Sequence, residues 1–252
     1  MINEFKILNG QDVSSLDLIK KFAENYPFEI VSSLCELSNE IAIFEFRENK
    51  LLLNMLLDGV NSPLNFDLDE GSIGYRGKSV SKNNELIARA IGVKSHYRPI
   101  VLDATAGMGR DSYIMAKLGC QVIMQERCLP IYCLLENALS RLFNNQPEFK
   151  NKISLQNINS VDHFTKQKEI DVIYLDPMFP ARKKSALVKK EMRLFKILAG
   201  EDLDADRLFK KALDTKAKRV VVKRPKGAPQ LLDQKPSHEI TSKGFRFDVY
   251  LN

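Results

Sequence analysis

The alternation of apolar runs with amphipathic stretches predicts a parallel sheet in the last two thirds of the chain. Short apolar runs, rich in β-branched residues and long enough for buried strands, recur there, and stretches with helical spacing separate most of them. The predicted strands are 100–102, 121–126, 153–158, 171–176 and 219–223. The predicted helices are 111–118, 130–143, 185–198 and 204–214. Strands that alternate with helices in this way predict an α/β fold with a mostly parallel, doubly wound sheet.

Two runs at the carboxyl end of the chain predict a different arrangement. Residues 238–242 and 245–251 are joined through Lys243 and Gly244, a spacing typical of a hairpin. We therefore expect the parallel sheet to be closed by an antiparallel pair of strands.

The first third of the chain has a mixed pattern and predicts a small separate lobe. Runs that favour short strands or mixed elements lie at 28–32, 41–47 and 50–57. Residues 59–77 are rich in turn-forming residues, which is typical of a linker, and 81–91 predict a helix that ends at Gly92. The predicted domains are 1–75, a lobe of unassigned role, and 76–252.

The first strand of the predicted sheet leads into a glycine-rich turn, Asp103-Ala-Thr-Ala-Gly-Met-Gly-Arg-Asp111. Gly107 and Gly109 allow the backbone to turn sharply and allow a ligand to approach where a Cβ atom would collide. The spacing Asp-x-x-x-Gly-x-Gly differs from the Gly-x-Gly-x-x-Gly pattern of dinucleotide sites. It better fits the loop that holds S-adenosylmethionine (SAM) in Rossmann-like methyltransferases. The alternative is an ordinary strand-to-helix turn that contains two glycines.

Polar residues follow four of the predicted strands, at the edge of the sheet where ligands of open α/β folds bind. They are Asp103, Glu126, Asn159 with Ser160, and Asp176. Glu126 lies 17 residues beyond Gly109, close to the offset at which an acid accepts hydrogen bonds from ribose hydroxyls. Asn159 and Ser160 are candidates for hydrogen bonds to an adenine edge. The alternatives are a solvated carboxylate for Glu126 and an ordinary polar turn at 159–160.

The segment Asp176-Pro-Met-Phe-Pro180 predicts a catalytic site. It is similar to the Asp/Asn-Pro-Pro-Phe/Tyr motif of methyltransferases that modify exocyclic amino groups. Such an amino group is a poor nucleophile because its lone pair is delocalised into the ring. Two acceptors, the Asp176 carboxylate and the Pro177 carbonyl, would orient it, and Phe179 would stack on a flipped base. The alternative is a structural turn in which Asp-Pro ends a strand.

The overall composition limits the class of protein. Of the 252 residues, 44% are hydrophobic and 28% are charged, as in soluble globular proteins. No apolar run approaches the ~18–20 residues of a membrane span, and the amino terminus lacks the pattern of a secretory signal. Four cysteines without a Cys-x-x-Cys pair and only three histidines argue against a zinc site or a disulfide framework. We therefore expect a cytoplasmic protein without a bound metal.

Charge is distributed unevenly along the chain. Residues 1–74 carry 5 Lys and Arg against 13 Asp and Glu, whereas residues 181–226 carry 16 against 6. The basic segment follows the candidate catalytic motif, which favours a polyanionic partner, with nucleic acid first. The alternative is a set of helix faces that meet only solvent. The residues expected to contact RNA phosphates are Arg182, Lys183, Lys184, Lys189, Lys190, Arg193, Lys223 and Arg224.

Taken together, these segments resemble the bacterial RsmJ-type methyltransferases of ribosomal RNA. The similarity rests on the glycine-rich turn, the Asp176 motif and the segments 184–193, 202–206 and 219–225, and it extends from about residue 66 to the carboxyl end. It implies a Rossmann-like class I SAM-dependent methyltransferase fold, and methylation of the exocyclic N2 of a guanine in the 16S RNA of the small ribosomal subunit. It also matches a set of residues to the methyl donor: Arg110, Asp111, Glu126, Arg127, Asn159, Ser160 and Asp176. Asn159 departs from the small residue expected at its position.

The motifs alone leave other functions open. A methyltransferase acting on adenine N6 would need the same acceptors, because both targets are exocyclic amines. A non-catalytic RNA-binding assembly factor on the same fold would not need an intact Asp176. An NAD-dependent dehydrogenase is disfavoured by the glycine spacing. The expected partner is 16S RNA, either free or within the small subunit, with no membrane, metal or obligate protein partner.

Overall fold

The computed structural model describes residues 2–9, 13–81, 83–164, 169–178, 189–200 and 202–252. The chain divides into two compact units. The first comprises residues 1–66, 133–138 and 180–201, and the second comprises residues 67–132, 139–179 and 202–252. The first unit thus includes two segments from later in the chain, 133–138 and 180–201, and no local sequence pattern predicts that they belong to it. The division into independent domains at residue 75 stays a prediction.

The described part of the chain contains the following elements. The helices are α1 (Val13–Asn25), α2 (Gly71–Lys78), α3 (Leu86–Ala90), α4 (Arg110–Lys117), α5 (Leu129–Asn145), α6 (Lys190–Ala199) and α7 (Ala205–Leu213). The strands are β1 (Glu4–Leu8), β2 (Glu29–Val31), β3 (Ile41–Arg47), β4 (Lys50–Leu57), β5 (Val60–Leu64), β6 (Ile100–Asp103), β7 (Gln121–Gln125), β8 (Ile153–Gln156), β9 (Val172–Leu175), β10 (Arg219–Pro225), β11 (His238–Thr241) and β12 (Phe245–Leu251).

The first unit is built on a five-stranded mixed sheet in the order β2-β1-β3-β4-β5. Strand β1 runs parallel to β2 and β3, whereas β4 is antiparallel to both of its neighbours. The ring centroid of Phe22 on α1 lies 5.4 Å from that of Phe44 and 5.7 Å from that of Phe28. The Phe195 ring of α6 lies 6.3 Å from the ring of Phe66. This unit therefore has an aromatic core of its own.

Helix α1 has no counterpart among the elements predicted for the lobe. Its apolar residues Leu16, Ile19 and Phe22 recur at helical spacing, and Ile19 and Phe22 are buried. This periodicity was the available signal for the helix.

The segment 59–77 passes from the first unit to the second between residues 66 and 67, as predicted. It is not the irregular linker that its turn-forming residues indicate, because it contains β5 and most of α2. Its helical glycines serve close packing. A Cβ atom on Gly77 would lie 2.7 Å from the Tyr113 hydroxyl oxygen, and one on Gly74 would lie 2.1 Å from the Asp69 carbonyl oxygen. Such close approaches require glycine even within a helix. In the neighbouring segment, the helix predicted at 81–91 is shorter and is limited to α3.

The second unit carries a seven-stranded sheet in the order β11-β12-β10-β9-β6-β7-β8. Strands β6 to β10 are parallel to their neighbours within this group, and β12 is antiparallel to both β10 and β11. The predicted mostly parallel, doubly wound sheet with a terminal antiparallel hairpin is confirmed. Strand β10 continues to Pro225, which pairs with Phe245, and does not end at residue 223.

The order of the strands fixes where this sheet can bind a ligand. The chain passes from β6 to β7 and β8 on one side, and then returns to β9 and β10 on the other side. Such a reversal opens a crevice at the carboxyl ends of the two central strands. Asp103 ends β6, and Asp176 directly follows β9. Among the described helices, none is long and apolar enough to cross a membrane.

Candidate active site

The glycine-rich turn between β6 and α4 has the backbone that its sequence predicts. Gly107 has a φ of 53° and Gly109 has a φ of 71°, both in the left-handed region that favours glycine. Gly109 directly precedes α4, and the half-buried Arg110 is the first residue of that helix. The turn therefore presents backbone and the start of a helix at the crevice.

Asp103 holds this turn against α4. Its buried carboxylate accepts a 2.5 Å hydrogen bond from the Ser112 hydroxyl and a 3.1 Å hydrogen bond from the Thr105 N–H. Burial raises the pKa of Asp103 to about 7, and the two hydrogen bonds oppose this shift. Because its oxygens accept hydrogen bonds from Thr105 and Ser112, Asp103 holds the glycine-rich turn in shape. This turn, residues 103–111, is called the donor loop below because it is the segment predicted to bind the methyl donor.

Glu126 joins the end of β7 to the glycine-rich turn. Its Oε2 accepts a 3.0 Å hydrogen bond from the Gly107 N–H, and its Oε1 accepts a 2.7 Å hydrogen bond from the Cys128 N–H. Each carboxylate oxygen has a second lone pair, so Glu126 can also accept hydrogen bonds from a diol. Burial raises the pKa of Glu126, and the two backbone N–H groups oppose that shift.

Asn159 and Ser160 follow β8, and both make hydrogen bonds within the protein. The Asn159 Oδ1 accepts a 3.2 Å hydrogen bond from the Val161 N–H and so caps a short 3-10 turn. The buried Ser160 hydroxyl donates a 2.7 Å hydrogen bond to the Ala104 carbonyl oxygen. The structure thus brings Ser160 next to the donor loop, whereas the Asn159 side chain is hydrogen-bonded within the short turn that follows it.

Asp176 is fixed to the same loop. Its backbone N–H donates a 2.7 Å hydrogen bond to the Thr105 Oγ1, and its Oδ2 lies 2.8 Å from the Lys223 Nζ. The side chain of Asp176 is 40% exposed, while Pro177 is buried. The partial burial of its carboxylate raises the pKa of Asp176, and the positive charge of Lys223 opposes this shift. Phe179 lies outside the described residues.

Asp111 lies in the first turn of α4 and shares Lys223 with Asp176. Its Oδ2 is 2.7 Å from the Lys223 Nζ and accepts a 2.6 Å hydrogen bond from the Tyr174 hydroxyl. Burial acts to raise the pKa of Asp111, but Lys223 and Tyr174 outweigh it and lower the pKa. The structure therefore assembles two carboxylates and one ammonium group at the crevice.

Arg127 is paired with two aspartates, Asp202 and Asp204, that no sequence motif assigns to the site. Its guanidinium binds Asp202, and its Nη1 lies 2.8 Å from an Asp204 carboxylate oxygen. The second oxygen of Asp202 accepts a 2.6 Å hydrogen bond from the Met178 N–H. The three acids of the segment 202–206, within an otherwise basic stretch, were the available signal.

The residues expected to contact RNA occupy different environments. Lys189 and Lys190 are exposed at the start of α6, and Arg193 lies 2.8 Å from Asp58. Lys223 lies in the crevice, as described above. Arg224 is 2% exposed, and its guanidinium donates a hydrogen bond to the Pro229 carbonyl oxygen, so in this structure it presents no charge to a phosphate. Arg182, Lys183 and Lys184 lie outside the described residues.

The residues at the crevice fit SAM as a cofactor. Gly107 and Gly109, which both have positive φ, place no Cβ atom at two positions of the turn. The Glu126 carboxylate lies against that turn and can accept hydrogen bonds from a ribose. Two hydrogen bonds fix the conformation of this turn: one between Ser112 and Asp103, and one between Ser160 and the Ala104 carbonyl oxygen. Contact with the methyl donor stays a prediction for all of the residues expected to make it: Asp103, Gly107, Gly109, Arg110, Asp111, Glu126, Arg127, Asn159, Ser160 and Asp176.

The fold and this site define a Rossmann-like SAM-dependent methyltransferase. Residues 31–252 match the family model described as "Putative SAM-dependent methyltransferase". The crystal structure of a SAM-dependent methyltransferase from Neisseria gonorrhoeae matches this structure with a TM-score of 0.74 and 31% sequence identity. That match covers 98% of this chain and 95% of the other.

Comparison with curated relatives identifies the family of methyltransferases to which the chain belongs. The ribosomal RNA small subunit methyltransferase J of Colwellia psychrerythraea is 40% identical over 236 residues, which are 93% of this chain and 86% of the relative. The protein of that name from Desulfotalea psychrophila is 45% identical over 201 residues, 77% of this chain and 76% of the relative. The chain belongs to the ribosomal RNA small subunit methyltransferase J (RsmJ) family, so the resemblance stated from the motifs is confirmed.

Proposed function

We propose that this chain methylates the exocyclic N2 of a guanine in the 16S RNA of the small ribosomal subunit. The names of its relatives point to the RNA, and the crevice supports the chemistry. The observation that carries the proposal is the placement of Asp176. Its backbone N–H is bound to Thr105 at 2.7 Å, so the acceptor for the target amine is fixed to the donor loop itself.

The work of the protein in this reaction is to orient the amine. SAM supplies an electrophilic methyl group on a sulfonium. Lys223 binds the Oδ2 of Asp176 at 2.8 Å, which leaves Oδ1 as the proposed acceptor of an amine N–H. Pro177 is buried, which fixes the carbonyl proposed as the second acceptor. Two fixed acceptors direct the nitrogen lone pair, and orientation of this kind supplies a large part of a rate enhancement.

The RNA is proposed to bind through exposed lysines and arginines. Lys189 and Lys190 are exposed at the start of α6, a helix that packs into the protein through Leu194 and Phe195. Arg182, Lys183 and Lys184, which precede them in the sequence, stay in the proposal, and Phe179 keeps its proposed stacking role. Arg224 is left out because it is buried. Such contacts supply affinity, whereas the crevice supplies the chemistry.

Product mapping tests the proposal. The purified protein is incubated with isotopically labelled SAM and with either 16S RNA or small subunits from cells that lack the gene. Nucleosides from the digested RNA are then identified by mass spectrometry. Labelled N2-methylguanosine at one position is the expected product. Labelled N6-methyladenosine would assign the site to adenine, and no labelled nucleoside from either substrate would favour the non-catalytic assembly factor.

A further inference from the structure

We infer that Lys223 is a positioning residue: it ties the Asp176 carboxylate to Asp111 and thereby orients the acceptor of the target amine. This role replaces the phosphate contact that the sequence predicts for Lys223. The inference rests on the proposed function of Asp176.

Three separate elements place the groups of this link. Lys223 lies on β10, Asp111 lies in the first turn of α4, and Asp176 follows β9. The Lys223 Nζ is 2.7 Å from the Asp111 Oδ2 and 2.8 Å from the Asp176 Oδ2. An ammonium group has three N–H donors, so two of them are engaged by carboxylates at hydrogen-bond distance. Lys223 therefore acts as a bridge between the two acids.

The Asp111 end of the bridge is held in place. The Tyr174 hydroxyl donates to Asp111 at 2.6 Å, and the Arg76 Nη1 lies 4.0 Å from the Asp111 Oδ1. Arg76 is itself fixed by Glu85, whose Oε1 accepts a 2.8 Å hydrogen bond from the Arg76 Nε. Because Asp111 is held in this way, it fixes the position of the Lys223 ammonium group. The ammonium group in turn restricts the orientation of the more exposed Asp176 carboxylate.

The geometry disfavours a phosphate contact for Lys223. Its side chain is 26% exposed, and its Nζ lies 5.7 Å from the centre of the Phe245 ring. To reach a phosphate in solvent, the ammonium would have to give up its ion pairs with both carboxylates in a half-buried crevice. Leaving a buried charge unpaired is strongly unfavourable. A cation held so firmly is suited to orient its neighbours.

The positive charge of Lys223 also favours the form of Asp176 that can accept hydrogen bonds. Burial raises the pKa of Asp176, and a protonated carboxyl group would offer a donor in place of an acceptor. Among the described residues, the other groups that act on Asp176 are acidic or phenolic, and Lys223 opposes their effect on its pKa. They are Asp111 on α4, Asp103 and Tyr174 at the ends of β6 and β9, and Asp202 before α7.

The test compares substitutions of two lysines that each pair with a carboxylate. Lys223→Gln is set against Lys218→Gln, which removes the same charge next to the other end of β10, where Lys218 is 72% exposed and lies 2.7 Å from Asp171. At saturating SAM and RNA, we expect Lys223→Gln to lower kcat by about 10²-fold and Lys218→Gln to leave it near the parent value. The acid limb of the kcat–pH profile should move to higher pH in Lys223→Gln, because loss of the ammonium raises the pKa of Asp176.

Lys223→Arg distinguishes positioning from phosphate binding and keeps the charge should Lys223→Gln fail to fold. An arginine would serve a phosphate at least as well, but its larger guanidinium displaces the Asp176 carboxylate. We expect a kcat roughly tenfold below the parent value with an unchanged KM for RNA. A full kcat in Lys223→Arg overturns the inference. So does a raised KM for RNA with a flatter salt dependence and an unchanged kcat in Lys223→Gln.

A double substitution separates this inference from the proposed function. If Lys223 acts through Asp176, adding Lys223→Gln to Asp176→Ala causes no further loss of kcat. Near-parent activity of Asp176→Ala alone would reject the role proposed for Asp176. Loss of activity in Asp176→Ala with full activity in Lys223→Gln would reject only the role of Lys223.

Discussion

The backbone N–H of Met178 donates a 2.6 Å hydrogen bond to the Oδ2 of Asp202. The other carboxylate oxygen of Asp202 binds Arg127, directly after Glu126. Asp202 therefore connects the segment that carries the proposed amine acceptor to the loop that carries the proposed ribose acceptor. The orientation of the Pro177 carbonyl depends on this connection, because Met178 is the next residue in the chain.

Asp202 and Asp204 form a matched pair for testing this connection. Both aspartates bind Arg127, but only Asp202 also binds the Met178 N–H. We expect Asp202→Ala to lower kcat by about 10–10²-fold, because the acceptor loop loses its anchor, and Asp204→Ala to have a much smaller effect. Single-turnover rates at saturating SAM measure the difference. Equal effects of the two substitutions would show that only the pairing of Arg127 matters.

Glu126 tests the donor site. We expect Glu126→Ala to weaken the binding of S-adenosylhomocysteine by about 1–3 kcal/mol, since the Gly107 and Cys128 N–H groups and the ribose lose their acceptor. Glu126→Gln keeps one acceptor oxygen and should lose less. Calorimetric titration measures the affinity of both variants for S-adenosylhomocysteine, and thermal melting serves as the control for folding. An unchanged affinity in Glu126→Ala would contradict the ribose assignment.

We expect the stability of the second unit to depend on pH through Asp103. Burial raises the pKa of Asp103 to about 7, whereas an unfolded aspartate titrates near pH 4. Between these values the folded state keeps a proton that the unfolded state has lost. The contribution of Asp103 to the free energy of unfolding therefore falls as pH rises from about 4 to 7, by up to about 1.4 kcal/mol per pH unit.

Asp103→Asn removes this dependence, because an amide does not titrate. Urea unfolding of the parent and the variant across this range measures it. The free energy of unfolding of the parent minus that of Asp103→Asn should decrease with rising pH. A difference that stays constant with pH would show that the Asp103 carboxyl does not titrate in this window.

Lys189 and Lys190 test the proposed RNA surface. We expect the double substitution to glutamate to weaken RNA binding and to reduce the slope of log K against log salt by about 0.7–0.9 for each lost phosphate contact. Lys20→Glu with Lys21→Glu, on the exposed side of α1, changes charge equally within the same unit and serves as the control. Fluorescence anisotropy at several salt concentrations measures the slopes. Equal slopes for the parent and for the variant with glutamate at positions 189 and 190 would show that Lys189 and Lys190 do not contact RNA.

The features with local causes were predictable from the sequence. The buried strands β6 to β10 follow from short apolar runs, and the turn at Gly107 and Gly109 follows from its glycine spacing. Within 59–77, local rules failed, because Gly77 lies within a helix against the Tyr113 hydroxyl. Only the position of that distant side chain explains why glycine stands there.

The environments of Lys223 and Arg224 depend on strand register, which the sequence alone does not supply. Strand β10 lies parallel to β9 with Val222 opposite Leu175, so the next residues, Lys223 and Asp176, meet at the end of the two strands. Successive side chains of a strand point to opposite faces. Arg224 is therefore directed away from the crevice and is buried. Two adjacent basic residues, both expected to bind phosphates, thus have different environments.

The rate of methyl transfer by Asp176→Ala tests the central claim most directly. Asp176 is held to the donor loop through Thr105 and is proposed to orient the target amine. The measurement is kcat on 16S RNA or small subunits with SAM saturated, and Asp176→Asn, which keeps an acceptor oxygen, is the matched variant. We predict that Asp176→Ala stays folded, binds RNA as the parent does and loses about 10²–10³ in kcat, with a smaller loss in Asp176→Asn. A folded, SAM-saturated Asp176→Ala protein that methylates its RNA at near the parent rate would contradict the account.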